Sequence, residues 1–150
     1  MPQIKLLLYE LCREYINSGI DAAKEAIANA REAADDDTKS SAGDKFETAR
    51  EMMQQEIDLN TVHINELQKL KVALDLVSPE HHSDTVQHGS IVYTNQGNYY
   101  MAVSIGKLTA NGTPYYALSS SSPLGVVLMG HKAGDSFKFN GKDFVIKELR

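Results

Sequence analysis

Residues 34–46, ADDDTKSSAGDKF, hold Asp35, Asp36, Asp37 and Asp44 around a short polar break. Carboxylates this close repel one another, and a divalent cation with oxygen ligands relieves that repulsion most directly. Mg²⁺ suits such a group, since it takes one or two protein carboxylates and fills its shell with water or phosphate oxygens. An acidic run of this type can complete a metal site located in another protein. The competing reading is a solvated connection with helix-capping acids, of which Asp44 is the clearest case. The spacing is not that of an EF-hand, which needs acids at alternating positions and a closing Glu.

Other chemistry-bearing residues form weaker patterns. His81, His82 and His88 fit no standard zinc spacing and stand in a polar stretch that reads as a connector, while His63 and His131 are isolated. Cys12 is the single cysteine, so an intramolecular disulfide and a cysteine zinc site are both excluded, and it reads as a small apolar residue on a helix. Ser119 to Ser122 lack a surrounding Gly-x-Ser-x-Gly turn and a matched His/Asp pair; they read as a strand end leading into a helix cap. Glycine-rich phosphate loops are absent. Tyr99, Tyr100, Tyr115 and Tyr116 fall in expected strands, where alternation sends half of them into the core, so they argue only weakly for a stacking surface.

Composition sets the frame for these residues. Apolar content of 42% and charged content of 23% belong to a folded chain, and 150 residues suffice for one ordinary domain or two very small ones. A net charge of −5 and a pI near 5.5 argue against a large basic face for bare nucleic acid and in favour of a protein partner. The sequence contains no apolar run of the ~20 residues that span a bilayer. Its N-terminus lacks a basic region followed by an apolar core and cleavage site, so a soluble, cytoplasmic protein is expected.

The acidic run lies between two long helical patterns. From Pro2 to about Ala34 the residues Tyr9, Cys12, Ile16, Ile20, Ala23, Ile27 and Ala30 step by three or four, which lines one side of a helix. Pro2 suits a first turn, Gly19 weakens the helix by about 1 kcal/mol and allows a kink, and the later alanines suggest a close partner helix. From Asp44 the same stepping runs through Phe46, Met53, Ile57, Ile64, Leu67, Leu70, Leu74 and Val77, and stops at Ser78-Pro79. Asn60 occupies a seam position, where a polar residue fixes pairing register. Two matched seams with a short polar join predict an antiparallel coiled-coil hairpin over residues 1–78, with its acidic tip at 35–44. At 1.5 Å per residue, a helix of ~30 residues extends about 45 Å, which carries the acids far from the chain's other half.

Residues 79–88 read as a linker. Beyond them the period changes to short strands, SIVYT, NYYMAVSI and PYYALS, bounded by NQGN and TANGTP. In SSSSPLGVVLMGHKAGD the Ser and Pro residues are expected to start one short helix that ends near Gly130. Alternating apolar residues around Asn140-Gly141 then give the strongest hairpin signal in the chain. Residues 89–150 are therefore expected to form a small, mostly antiparallel β domain with one helix, making the protein α+β.

This layout resembles the bacterial GreA/GreB transcript-cleavage factors. SSSSPLGVVLMGHKAGDSFKFNGKDFVIKEL is similar to that family's Ser-x-x-Ser-Pro motif, apolar helix, Gly-Lys-x-x-Gly-Asp turn and final hairpin. HGSIVYT resembles its first strand and KFETAREMMQQE the start of its second helix. The resemblance implies an FKBP-like C-terminal domain that docks on RNA polymerase beside the secondary channel, through residues such as Ser121, Ser122, Pro123, Leu124 and Gly125. It further implies a monomer that approaches nascent RNA indirectly, does not bind DNA directly and is not itself an enzyme. Its tip acids, here Asp35, Asp36, Asp37 and Asp44, would share Mg²⁺ with the polymerase and promote cleavage of backtracked RNA, with no cofactor of its own. One departure stands out: an ungapped match with Phe46 at the family tyrosine places the family's metal-binding acids at Lys39 and Ala42. The altered tip also resembles inhibitory Gre homologues, which occupy the channel without cleavage. An FKBP-like isomerase or chaperone is a further alternative, disfavoured by the absence of Trp and by only three Phe in this half, Phe137, Phe139 and Phe144.

Overall fold

The computed structural model describes the backbone of residues 2–40 and 44–150 and the side chains of residues 3–35 and 47–150. The described residues form two long helices, α1 (Pro2–Ser40) and α2 (Asp44–Asp75), followed by six strands and one short helix. In chain order these are β1 (Ile91–Thr94), β2 (Gly97–Met101), β3 (Gly106–Ala110), β4 (Thr113–Leu118), α3 (Pro123–Leu128), β5 (Ser136–Phe139) and β6 (Lys142–Leu149). Two compact units result, one of Met1–Glu14 with Leu70–Arg150, the other of Tyr15–Lys69.

In the Tyr15–Lys69 unit, α1 is continuous through Gly19 despite that residue's low helix propensity. The glycine serves a tertiary contact: a Cβ on Gly19 would stand 2.9 Å from Leu67 Cδ1, so the missing side chain lets Leu67 of α2 lie against the α1 backbone. Leu67, Ile20, Ala23 and Ala30 are all buried, as the stepping of apolar residues requires. Asn60 is half-buried and donates from Nδ2 to the Glu56 carbonyl at 2.9 Å, which satisfies it on its own helix. α1 also runs past Ala34, where the helical pattern ends in sequence, to Ser40. Asp35, Asp36 and Asp37 therefore occupy its last turns rather than a loop.

In the other unit the sheet order is β3-β4-β2-β1-β6-β5. Every described pairing is antiparallel except β2 with β4, which the β3–β4 excursion returns in parallel. One sheet face carries Val92, Met101 and Ile146, which with Val86 and Leu128 make a buried cluster; Leu124 and Met129 of the α3 region pack onto it. Fully burying a side chain of this size contributes about 1.5–3 kcal/mol. The opposite face buries Ile91, Tyr100, Tyr115 and Ala117. There, Tyr9 and Cys12 of α1 neighbour the Tyr100 hydroxyl, and burial pushes the Cys12 thiol up to about 12. Lys5, almost fully buried, donates from Nζ to the His81 carbonyl, and desolvation lowers its pKa.

Three features depart from the sequence pattern. Val86, inside the stretch read as a linker, is fully buried and exchanges backbone hydrogen bonds with the α3–β5 connection: its N–H donates to the His131 carbonyl at 2.7 Å, and Gly130 N–H donates to its carbonyl at 3.0 Å. NYYMAVSI is not one strand, because β2 ends at Met101 and β3 begins at Gly106. TANGTP is the turn of a β3–β4 hairpin, with Asn111 and Gly112 at φ 52° and 77°, matching Asn140 and Gly141 at 51° and 77°. Both pairs have the two positive φ values that a type I′ turn requires.

Candidate functional site

The acidic run divides between two helix ends. Asp35 is exposed on α1; Asp36 and Asp37 continue that helix and Asp44 opens α2, and the side chains of these three lie outside the described residues, as do Lys39 and Ala42. Successive helical positions turn by 100°, so Asp35, Asp36 and Asp37 are adjacent in sequence without sharing one helix face. Asp37 falls in the last turn of α1, where the macrodipole is negative and acids are disfavoured. Acids kept at that end concentrate negative potential, which attracts cations. Asp44, at the positive end of α2, is where a carboxylate is electrostatically favoured.

A feature absent from the sequence reading adjoins Asp35. An open cleft of about 450 Å³ is lined by Arg31, Ala34 and Asp35 of α1 and by Arg50, Met53, Gln54 and Ile57 of α2. Two guanidiniums beside one carboxylate, with an amide donor and an apolar floor, offer a forked cationic surface for an anionic oxygen group such as a phosphate. In sequence, Arg31 and Arg50 look like ordinary charges on solvated helix faces. Only the packing of the helices brings them into one cleft.

The Ser119–Gly125 segment has a defined local geometry. Ser122 is the N-cap of α3: its Oγ accepts from Gly125 N–H at 3.1 Å and donates to the Ser119 carbonyl at 2.6 Å. Pro123 follows at the first helical position, where its fixed φ fits and no N–H is missed. Gly125 is buried, and a Cβ there would stand 2.0 Å from the Ser119 carbonyl oxygen. Leu124 packs onto the core cluster. Of the five residues named for docking, Ser122, Leu124 and Gly125 are thus committed to the fold, while Ser121 and Pro123 are exposed. Ser121 shares a hydroxyl contact of 3.1 Å with Ser119.

The histidines separate into two kinds. His63, His81, His82 and His88 are exposed. His131 is half-buried, stacks on Phe137 with ring centroids 5.1 Å apart and meets Asp135 Oδ2 at 3.1 Å. The Lys132 N–H and the His131 ring hold the Asp135 carboxyl below its usual range. Among the described residues no three His, Cys, Asp or Glu side chains converge in a way that would hold a metal ion, and no helix is long and apolar enough to cross a membrane. No protein-family model matches the chain, and no curated protein matches it in sequence.

Proposed function

We propose that this protein is a Gre-type elongation factor that binds bacterial RNA polymerase and acts at its active centre through the region where α1 and α2 meet. The observation that carries this reading is the cleft that joins Arg31 and Arg50 to Asp35 at the acidic end of α1. A backtracked RNA end presents phosphates and an Mg²⁺ ion, and this region offers cationic forks for the first and carboxylates for the second. In two-metal phosphoryl chemistry, the second ion activates water and stabilises charge on the phosphate. The factor then supplies ligands and positioning, and the polymerase supplies the catalytic centre.

In this proposal α1 and α2 make an antiparallel coiled-coil hairpin. Supporting it are Gly19 against Leu67 and the cleft shared by Arg31 and Arg50, contacts whose order along α1 runs opposite to that along α2. The C-terminal sheet with α3 is FKBP-like and docks through the exposed part of the Ser121–Gly125 segment, and the protein works as a cytoplasmic monomer. The altered tip, with Lys39 and Ala42 at the family acid positions, favours a second outcome: occupation of the channel without cleavage.

The test is a polymerase stalled in a backtracked complex with end-labelled RNA, with and without this protein. Shortened transcripts that vanish when Asp35, Asp36, Asp37 and Asp44 are all replaced by Asn establish cleavage stimulation. Slower nucleotide addition without shortening, relieved by raised Mg²⁺, establishes inhibition. No effect of either kind, with the polymerase unbound, refutes the proposal.

A further inference from the structure

The four strand tyrosines divide by sheet face: Tyr100 and Tyr115 are buried, while Tyr99 and Tyr116 stand on the α3 side and remain partly exposed, Tyr116 by 41%. They begin a continuous row of rings across the sheet. Tyr116 and Tyr99 have centroids 6.0 Å apart, Tyr99 and Phe144 6.4 Å, Phe144 and Phe137 5.1 Å, and Phe137 and His131 5.1 Å. Phe144 is buried and acts as the floor; the other rings border it with accessible area.

Two lysines stand in register beside this row. Lys107 lies opposite Tyr116 in the β3–β4 register and Lys142 lies opposite Phe139 in the β5–β6 register, so both share the face of the rings. Residues 70–150, the larger part of this unit, carry seven basic and six acidic side chains, a net of +1 within a chain of −5. The three acids that follow Val86 in the chain are engaged elsewhere. Asp143 pairs with Lys138 in register and Glu148 with Tyr93, both on the other face, and Glu148 also accepts from Arg150 at 2.8 Å. Asp135 is engaged by His131 and the Lys132 N–H.

We infer that this face binds single-stranded polynucleotide, its bases stacking on Tyr116, Tyr99 and Phe139 and its phosphates meeting Lys107 and Lys142. Stacking accepts any base and a lysine rim follows any phosphate backbone, so the chemistry selects strandedness rather than sequence. A peptide groove would use the rings as well, but only an acidic peptide would gain from the lysines, whereas every polynucleotide presents phosphates to them.

The experiment is fluorescence anisotropy of labelled oligo(U) titrated with the full-length protein at low salt, with no polymerase present, so this inference and the proposed function succeed or fail separately. Saturable binding is expected, weaker for a duplex of equal length. Tyr116→Ala should weaken it about tenfold. Lys107→Ala should reduce the slope of log K against log salt by about 0.7. Both positions are exposed, and unchanged near-ultraviolet circular dichroism confirms that each variant is folded. An oligo(dT) arm separates the sources: equal binding assigns recognition to bases and phosphates, and tighter binding of oligo(U) adds the 2′-hydroxyl. Absence of saturable binding overturns the inference, as does binding that Tyr116→Ala leaves unchanged. Binding of a proline-rich peptide that Tyr116→Ala abolishes, with oligo(U) inert, overturns it in favour of a peptide groove.

Discussion

Gly125→Ala tests how the turn before α3 is built. The added Cβ would lie 2.0 Å from the Ser119 carbonyl oxygen and 2.8 Å from Ser122 Oγ, well inside van der Waals contact. The nearest atom is backbone, so no rotamer change relieves it and the β4–α3 turn itself must shift. That turn holds the Ser122 cap through bonds of 2.6 Å and 3.1 Å, and Gly125 C=O accepts from Met129 N–H at 3.0 Å. Losing the cap costs about 1 kcal/mol, and overpacking a rigid site adds about 1–3 kcal/mol. The sum, about 2–4 kcal/mol, lowers the melting temperature by roughly 10–25 °C for a unit of this size. Urea denaturation followed by circular dichroism measures it, with Ser122→Ala as the reference at about 1 kcal/mol. Because both substitutions break one network, the double variant should lose less than the sum of the singles. A loss below about 0.5 kcal/mol for Gly125→Ala, on the scale of ordinary surface changes, would refute the reasoning.

Four further outcomes follow from the same structure. Among the described residues Tyr100 Oη is buried without a hydrogen-bond partner, so Tyr100→Phe should raise stability by about 1 kcal/mol, and a loss in chemical denaturation would reveal a bond to that hydroxyl. Folded Cys12 keeps its proton to about 12 against an ordinary 9.0, so between those pH values the unfolded chain binds fewer protons and stability falls as pH rises. Cys12→Ala should flatten that alkaline decline, and the native thiol should resist Ellman's reagent until urea is added. Gly19→Leu should cost about 1–3 kcal/mol by driving against Leu67, whereas Gly19→Ala should stay near neutral, since about 1 kcal/mol of helix propensity offsets the contact; equal losses would show that Leu67 does not rest there. Under the proposed function, Arg31→Ala and Arg50→Ala should each weaken the effect on a backtracked polymerase without weakening polymerase binding, and a loss of binding would assign these residues to docking instead.

Much of the secondary structure was legible because its signals are local. Three-and-four stepping places α1 and α2, Pro123 after Ser122 places α3, and Asn140-Gly141 between alternating residues places the β5–β6 hairpin. β3 escaped because GKLTA carries only Leu108 as a large apolar residue, and its partner is supplied across an Asn-Gly turn that also reads as a plain boundary. The extension of α1 to Ser40 escaped because aspartates at a helix end contradict propensity and dipole alike.

The sequence by itself determined the class of the fold and the position of its acids, since periodicity, turn dipeptides and charge runs are properties of neighbouring residues. Tertiary structure decided which residues act together. Arg31 and Arg50 share a cleft only because two helices pack. Tyr99 and Tyr116 join Phe144 and Phe137 only because β4, β2, β1, β6 and β5 lie side by side in that order. Val86 is core rather than connector only because the α3–β5 turn bonds to it. Contacts of this kind link residues far apart in the chain, and their energy comes from packing and burial, which no local pattern records.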